Sequence, residues 1–215
     1  MSSSSELRPL LSAAASRLQR AQSKFESLAE NARRDIASRL RTEMSLRSRL
    51  ATMGEYGAGG GMYHDALEKD AENALNTARL KTEKLLADDE AMDLMSILER
   101  YCDILMESRM ERIDKLSGDS VEAIVGILAT SSRIDSPELI TLSQALALQY
   151  PNLTSDEAIK AHLATKLVKH VTPNRPSQTT VDETMVTIAK SYGVPDWEPP
   201  FLLPGDRYAL LSSLI

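Results

Sequence analysis

The chain has 215 residues, with 25 Lys and Arg against 31 Asp and Glu for a formal charge of −6, one cysteine, and 54 residues that are Ala or Leu. A single cysteine excludes an intrachain disulfide and a cysteine-based zinc site, so the fold must rest on its apolar core, and a reducing, cytosolic setting is expected. Ala and Leu favour helices and only 18 Val and Ile stand against them, which predicts an all-α chain and argues against a β-sandwich or a doubly wound sheet.

Met1–Leu11 lacks a basic stretch followed by a long apolar run, so no secretory signal is expected, and the first six residues read as a disordered N-terminus. No uncharged stretch is long enough to span a bilayer. From Leu10 to Met53 there is neither Gly nor Pro, and Leu7, Leu11, Ala14, Leu18, Ala21, Phe25, Leu28 and Ala32 step alternately by four and three. That is a heptad seam on one long helix, continued by Ile36 and Leu40, with Pro9 fitting the first turn. The charge is divided here: residues 1–50 carry ten basic and five acidic side chains, the remainder 15 and 26. A net positive first helix on a negative protein suits an anionic surface, and it equally suits pairing with the acidic segment that follows.

A glycine-rich stretch, Gly54 to Gly61, separates this helix from a second span, Met62 to Ser117, that again lacks Gly and Pro. Its apolar side is formed by Ala71, Ala74, Ala78, Leu85, Met92, Met95, Leu98, Cys102, Leu105, Ile113 and Leu116. At 1.5 Å per residue, helices over 8–50 and 66–116 would extend roughly 64 and 76 Å, so a hairpin or rod is predicted, and the flexible glycine connection favours the hairpin. Shorter helices follow: one from an Asp119/Glu122 capping box to about Ser132, one from Ser136-Pro137 to about Tyr150, one from Thr154/Glu157 to about His170, and a last one capped by Thr180 and Glu183 and stopped by Gly193 and Pro195.

Chemical motifs are sparse. The glycines are not followed by the Lys-Ser/Thr pair of a phosphate-binding loop. His64 and Glu68 stand four apart but lack a third ligand, and His162 and His170, eight apart on one predicted helix, lack acidic or cysteine neighbours, so no metal or other cofactor is expected. Cys102 reads as a small core side chain. The run Asp88–Glu122, with 11 acidic and four basic residues, is better explained as a solvated face than as paired catalytic carboxylates. Nucleic acid is disfavoured by the pI of about 5.2 and by the single aromatic, Phe25, in the basic stretch. A non-catalytic protein acting through surfaces is expected.

Three ordered motifs resemble the Increased Sodium Tolerance family: Asn31-Ala32-Arg33-Arg34-Asp35-Ile36-Ala37, a longer run from Ala78-Arg79 to Ile97-Leu98-Glu99-Arg100-Tyr101-Cys102-Asp103-Ile104-Leu105, and Ile188-Ala189-Lys190-Ser191-Tyr192-Gly193-Val194-Pro195. The similarity covers about residues 7–198. It implies an ESCRT-III-type fold, a long α1–α2 hairpin with shorter helices packed alongside. It further implies binding to late ESCRT-III subunits and regulation of the vacuolar-protein-sorting AAA ATPase, in multivesicular-body sorting and membrane scission, peripheral to endosomal membranes. Against the family pattern, residues 44–73 read as an insertion at the hairpin tip. In the tail, residues 199–215, Leu210, Leu211 and Leu214 offer a docking motif for the ATPase's microtubule-interacting-and-transport (MIT) domain, although the expected basic neighbour is missing and a core-packing tail is the alternative. Arg33, Arg34, Arg39 and Arg41 are the expected membrane or assembly face, with self-association as a further expectation. A generic coiled-coil or helical-bundle adaptor is the rival reading.

Overall fold

The computed structural model describes residues 4–55, 61–108, 116–172 and 175–199, and among these every regular element is helical. Helix α1 spans Ser4–Glu55 and α2 spans Gly61–Glu107. The shorter helices are α3 Gly118–Thr130, α4 Pro137–Gln149, α5 Asp156–His162, α6 Thr165–Val171 and α7 Gln178–Ser191. Residues 44–55 and 61–73, read from sequence as a tip insertion, continue the two long helices; most of the glycine run lies outside the described residues. Two boundaries differ from expectation. Helix α1 starts early enough to place Pro9 in its second turn, and α2 stops at Glu107 instead of near residue 116.

The chain divides into two compact units. The first joins Met1–Ser27 to Asp88–Arg175 and the second joins Leu28–Ala87 to Pro176–Ile215. In the first, α1 contributes Leu7, Leu11, Ala14 and Leu18, and α2 contributes Leu94, Met95, Leu98, Tyr101, Cys102 and Leu105, to a core completed by α3, α4 and Leu167 of α6. The core sits so tightly on α3 that a Cβ at Gly126 would lie 2.4 Å from Cε2 of Tyr101, which fixes glycine there by close approach. In the second, Ala29, Ile36, Ala37 and Leu40 of α1 pack with Leu75, Ala78 and Leu85 of α2 under Val181, Met185, Ile188 and Ala189 of α7, with Val194 and Trp197 beyond it. Contacts of Arg49 with Tyr63 and of Asp35 with Lys81 pair rising numbers on α1 with falling numbers on α2, which is the antiparallel arrangement of a hairpin.

The heptad seam is correct at both ends and wrong in the middle. Leu28 is 48% exposed and Ala29 takes the buried position. A strict 3.5-residue repeat drifts against the ~3.6 residues per turn of a straight helix, and a four-residue step from Phe25 to Ala29 resets the buried face. It falls where the chain passes from one unit to the other.

The cap residues also differ. The Ser117, Ser155 and Ser177 side chains accept from the amides of Ser120, Ala158 and Thr180 and so cap α3, α5 and α7, whereas Asp119, Thr154 and Thr180 were expected to. Each serine has extended backbone, which an N-cap needs, and the expected residues lie inside the helix or one position before the cap. Ser136 caps α4 as predicted. The single helix expected to reach His170 is two, because Leu163 and Ala164 are extended. At the end of α7, Gly193 takes φ +76° and the Val194 amide donates to the Ala189 carbonyl at 2.8 Å, a left-handed stop that glycine tolerates best.

Candidate functional site

The four arginines proposed from sequence lie on α1 in the second unit, but they do not share one face. At about 100° per residue, Arg34 and Arg41 flank one side of the buried stripe, Arg39 flanks the other, and Arg33 lies near the stripe itself, half-buried. Arg34 pairs with Glu30 at 3.0 Å and Arg39 with Asp35 at 3.6 Å, both one turn away and solvent-facing. Arg41 donates to the Tyr192 carbonyl at 3.0 Å, holding the C-terminal end of α7. Arg41 therefore has a tertiary role that its place in a basic run did not reveal.

Polar clamps hold α7 and the segment after it onto the hairpin. The Tyr192 hydroxyl donates to Glu30 at 2.8 Å, and that bond is the main reason the Glu30 carboxyl titrates below its ordinary range. Asp35 is lowered chiefly by its hydrogen bond from Lys81, 2.6 Å away. Arg79 and Gln178 both reach Asp182, at 3.5 and 3.0 Å. Glu43 is buried, accepts from Trp197 Nε1 at 2.9 Å, and pairs with Arg47. Glu43 had a sequence signal that went unread. It continues the steps of four and three from Ile36 and Leu40, so a charge sits on the seam.

In the first unit the acidic stretch of α2 and α3 is engaged by cations of α6 instead of being merely solvated. Lys169 pairs with Asp93 at 3.0 Å, Lys166 with Glu122 at 3.2 Å and over the Tyr101 ring, and His170 Nδ1 lies 3.7 Å from Glu90. Glu122 is an acceptor for the Tyr101 hydroxyl at 2.8 Å, a bond that lowers the carboxyl, while burial first and this bond second raise the phenol. His170 is buried and its pKa is lowered, first by desolvation and then by Lys169, with Glu90 and Asp93 opposing. It shares no helix with His162. Burial pushes the Cys102 thiol up to about 12, so it stays protonated as a core side chain.

His64 and Glu68 gain Asp65 as a neighbour, with the three ligand atoms within 4.8 Å of one another. Carboxylates near the surface commonly cluster in this way without an ion. Leu210, Leu211 and Leu214 lie outside the described residues. No helix among the described residues is long and apolar enough to cross a membrane.

Antiparallel long helices with a final helix clamped along them define a helical protein of the ESCRT-III type. The fold is similar to that of the Ist1 N-terminal domain of Saccharomyces cerevisiae, solved in complex with a Did2 MIM motif, with a TM-score of 0.66 and 24% identity over 91% of this chain and 95% of that one. An IST1-like protein of Dictyostelium discoideum is 25% identical over 127 residues, 56% of this chain and 34% of the relative. This chain thus covers about a third of that relative's length. Residues 65–195 match the family model "Ist1: Regulator of Vps4 activity in the MVB pathway". The chain belongs to the Ist1 family.

Proposed function

We propose that this protein is a non-catalytic regulator of the vacuolar-protein-sorting AAA ATPase, Vps4, acting through late ESCRT-III subunits in multivesicular-body sorting and membrane scission. The observation that carries the reading is the family match over residues 65–195, from α2 through α7, in a family described as regulatory. The yeast relative of the same fold is seen with an ESCRT-III-derived MIM motif, which supports a helical tail of such a subunit as the partner. Calorimetry with the C-terminal tail of a late ESCRT-III subunit tests it: saturable binding is expected, and its absence, together with an unchanged Vps4 ATPase rate on adding the protein, overturns the reading.

The working location is peripheral, at the cytoplasmic face of endosomal membranes, and the domain organisation is an ESCRT-III-like body over residues 7–198 followed by a tail. Arg34 and Arg39 are the members of the basic set best suited to an anionic leaflet or an assembly partner, because both are solvent-facing and their local carboxylate partners are weak, screened competitors. Arg33 and Arg41 belong to the same proposal, but Arg41 also supports α7. Leu210, Leu211 and Leu214 remain the proposed docking residues for the ATPase's MIT domain. The charge-reversed pair Arg34→Glu and Arg39→Glu should lose cosedimentation with anionic liposomes, and binding by the unaltered protein should weaken as salt rises. Binding indifferent to both would remove the membrane role.

A further inference from the structure

Within the second unit, α1 and α2 leave a groove of about 720 Å³. That volume falls in the range of about 300–1,000 Å³ that binding pockets occupy. Its long side is a stripe of α2 that begins at His64, takes in Glu68, Glu72 and Asn76, and ends at Arg79. At 1.5 Å per residue the stripe is about 22 Å long, which fits an elongated occupant better than a compact one. Beside it runs a shorter row, Ala71 and Leu75, both buried, and Leu50 of α1, half-buried, closes the apolar part from the other side.

The charges along the groove are unevenly satisfied. Arg47 pairs with Glu43, and Arg79 reaches Asp182 at 3.5 Å, so both marginal cations already have carboxylate partners. Glu68 and Glu72 are exposed, and neither side chain has a hydrogen-bond or ion-pair partner among the described residues. Asp65, whose carboxylate lies within 4.8 Å of that of Glu68, adds to the negative field at this end. The groove therefore disfavours an acidic ligand and complements a basic one. Glu68 and Glu72 are about 6 Å apart along the helix axis, the rise between residues four apart on any α-helix. Basic residues at i and i+4 of a facing helix match that spacing, and its adjoining row, i+3 and i+7, reaches the apolar part, where the small Ala71 leaves room.

We propose that this groove is a docking site for an amphipathic helix of a partner protein, with Lys or Arg at i and i+4 and Leu at i+3 and i+7. The cations pair with Glu68 and Glu72 and set the register, and the leucines cover Leu50 and the row of Ala71 and Leu75. Because the two carboxylates face solvent, each ion pair is weak and screened, so the association is transient and salt-sensitive.

A synthetic Leu/Lys helix of about 15 residues with that pattern, long enough to run the stripe, tests the site on the full chain by methyl NMR and fluorescence anisotropy. EDTA in the buffer keeps any metal from bridging His64 to the probe. Saturable binding should shift the methyl signals of Leu50, Ala71 and Leu75 and weaken as salt rises. Glu68→Gln combined with Glu72→Gln should reduce affinity about tenfold, and Asn76→Trp, which fills the groove from an exposed position, should block binding. Glu26→Gln with Asp103→Asn removes the same charge from exposed positions in the first unit and should leave affinity within about twofold. Equal loss in the two double variants overturns the proposal, because net charge alone then explains the attraction. So do unchanged methyl signals at saturation and equal affinity for a Leu/Glu helix. Methyl shifts that follow protein concentration without the probe overturn it as well, because they assign the groove to a second copy. Neither ATPase regulation nor an ESCRT-III tail enters these readouts, so failure here leaves the proposed function standing.

Discussion

The two units use one pair of helices to build two different interiors. The first, with Met1–Ser27 and Asp88–Arg175, fills its core with Leu, Ile and Met and brings Tyr101 against a bare glycine backbone. The second, with Leu28–Ala87 and Pro176–Ile215, is rich in alanine and adds charged or polar clamps to its core, such as Glu43 with Trp197, Asp182 with Arg79 and Glu30 with Tyr192. Small side chains bring helices close but bury little apolar area each, so hydrogen bonds to carboxylates take a larger share of the work of fixing α7. The first unit should therefore be sensitive to lost volume, and the second to lost partners.

The largest expected effect is Ile124→Ala in α3, which opens a cavity in the first core and should cost about 2–5 kcal/mol in chemical denaturation. A loss below about 1 kcal/mol would show that this core collapses around the deletion and would blur the contrast. Gly126→Ala forces a methyl into the Tyr101 ring and should cost about 1–3 kcal/mol by overpacking, read from the same denaturation midpoint. In the second unit, Trp197→Phe keeps most of the apolar bulk but leaves Glu43 without its indole donor. About 1–3 kcal/mol is expected, with amide exchange rising in α7 before it rises in α3. Equal exchange in both helices would mean that the units do not open separately.

Acid sharpens the comparison in two windows. The folded pKa of His170 is depressed, so the unfolded chain takes up the proton first, and stability falls as pH drops from neutrality through the ordinary histidine value of 6.5. His170→Gln should flatten that part of the pH dependence of the melting temperature. Glu30 and Asp35 are depressed too, and their stabilisation is present above the ordinary carboxylate values of 4.5 and 3.8 and lost as pH falls through the lower folded values. Loosening of α7 should belong to this second, more acidic window. The smallest effect is expected for Leu28→Gln, within about 0.5 kcal/mol, because that leucine is already largely in water.

Much of this was legible in the residues. The heptads named the buried ends of α1, the glycine and proline positions separated the elements, Ser136-Pro137 marked a start that is real, and the three ordered motifs led to the family. The misses share one cause. Asp119, Thr154 and Thr180 have the composition of caps, but capping depends on which residue leaves the helical backbone region, and neighbouring serines do. Arg41 looked like one more surface cation until α7 placed a carbonyl in front of it, and Glu43 is explained only by an indole 154 residues away.

By itself the sequence determined the helical class, the two long helices, the division of charge and the kinship, because each is written in local composition, periodicity or an ordered motif. Tertiary structure decided which charges remain at the surface and which become clamps, and where the seam shifts from Leu28 to Ala29. Those outcomes depend on contacts between residues far apart in the chain, where burial and partnership assign a side chain its role.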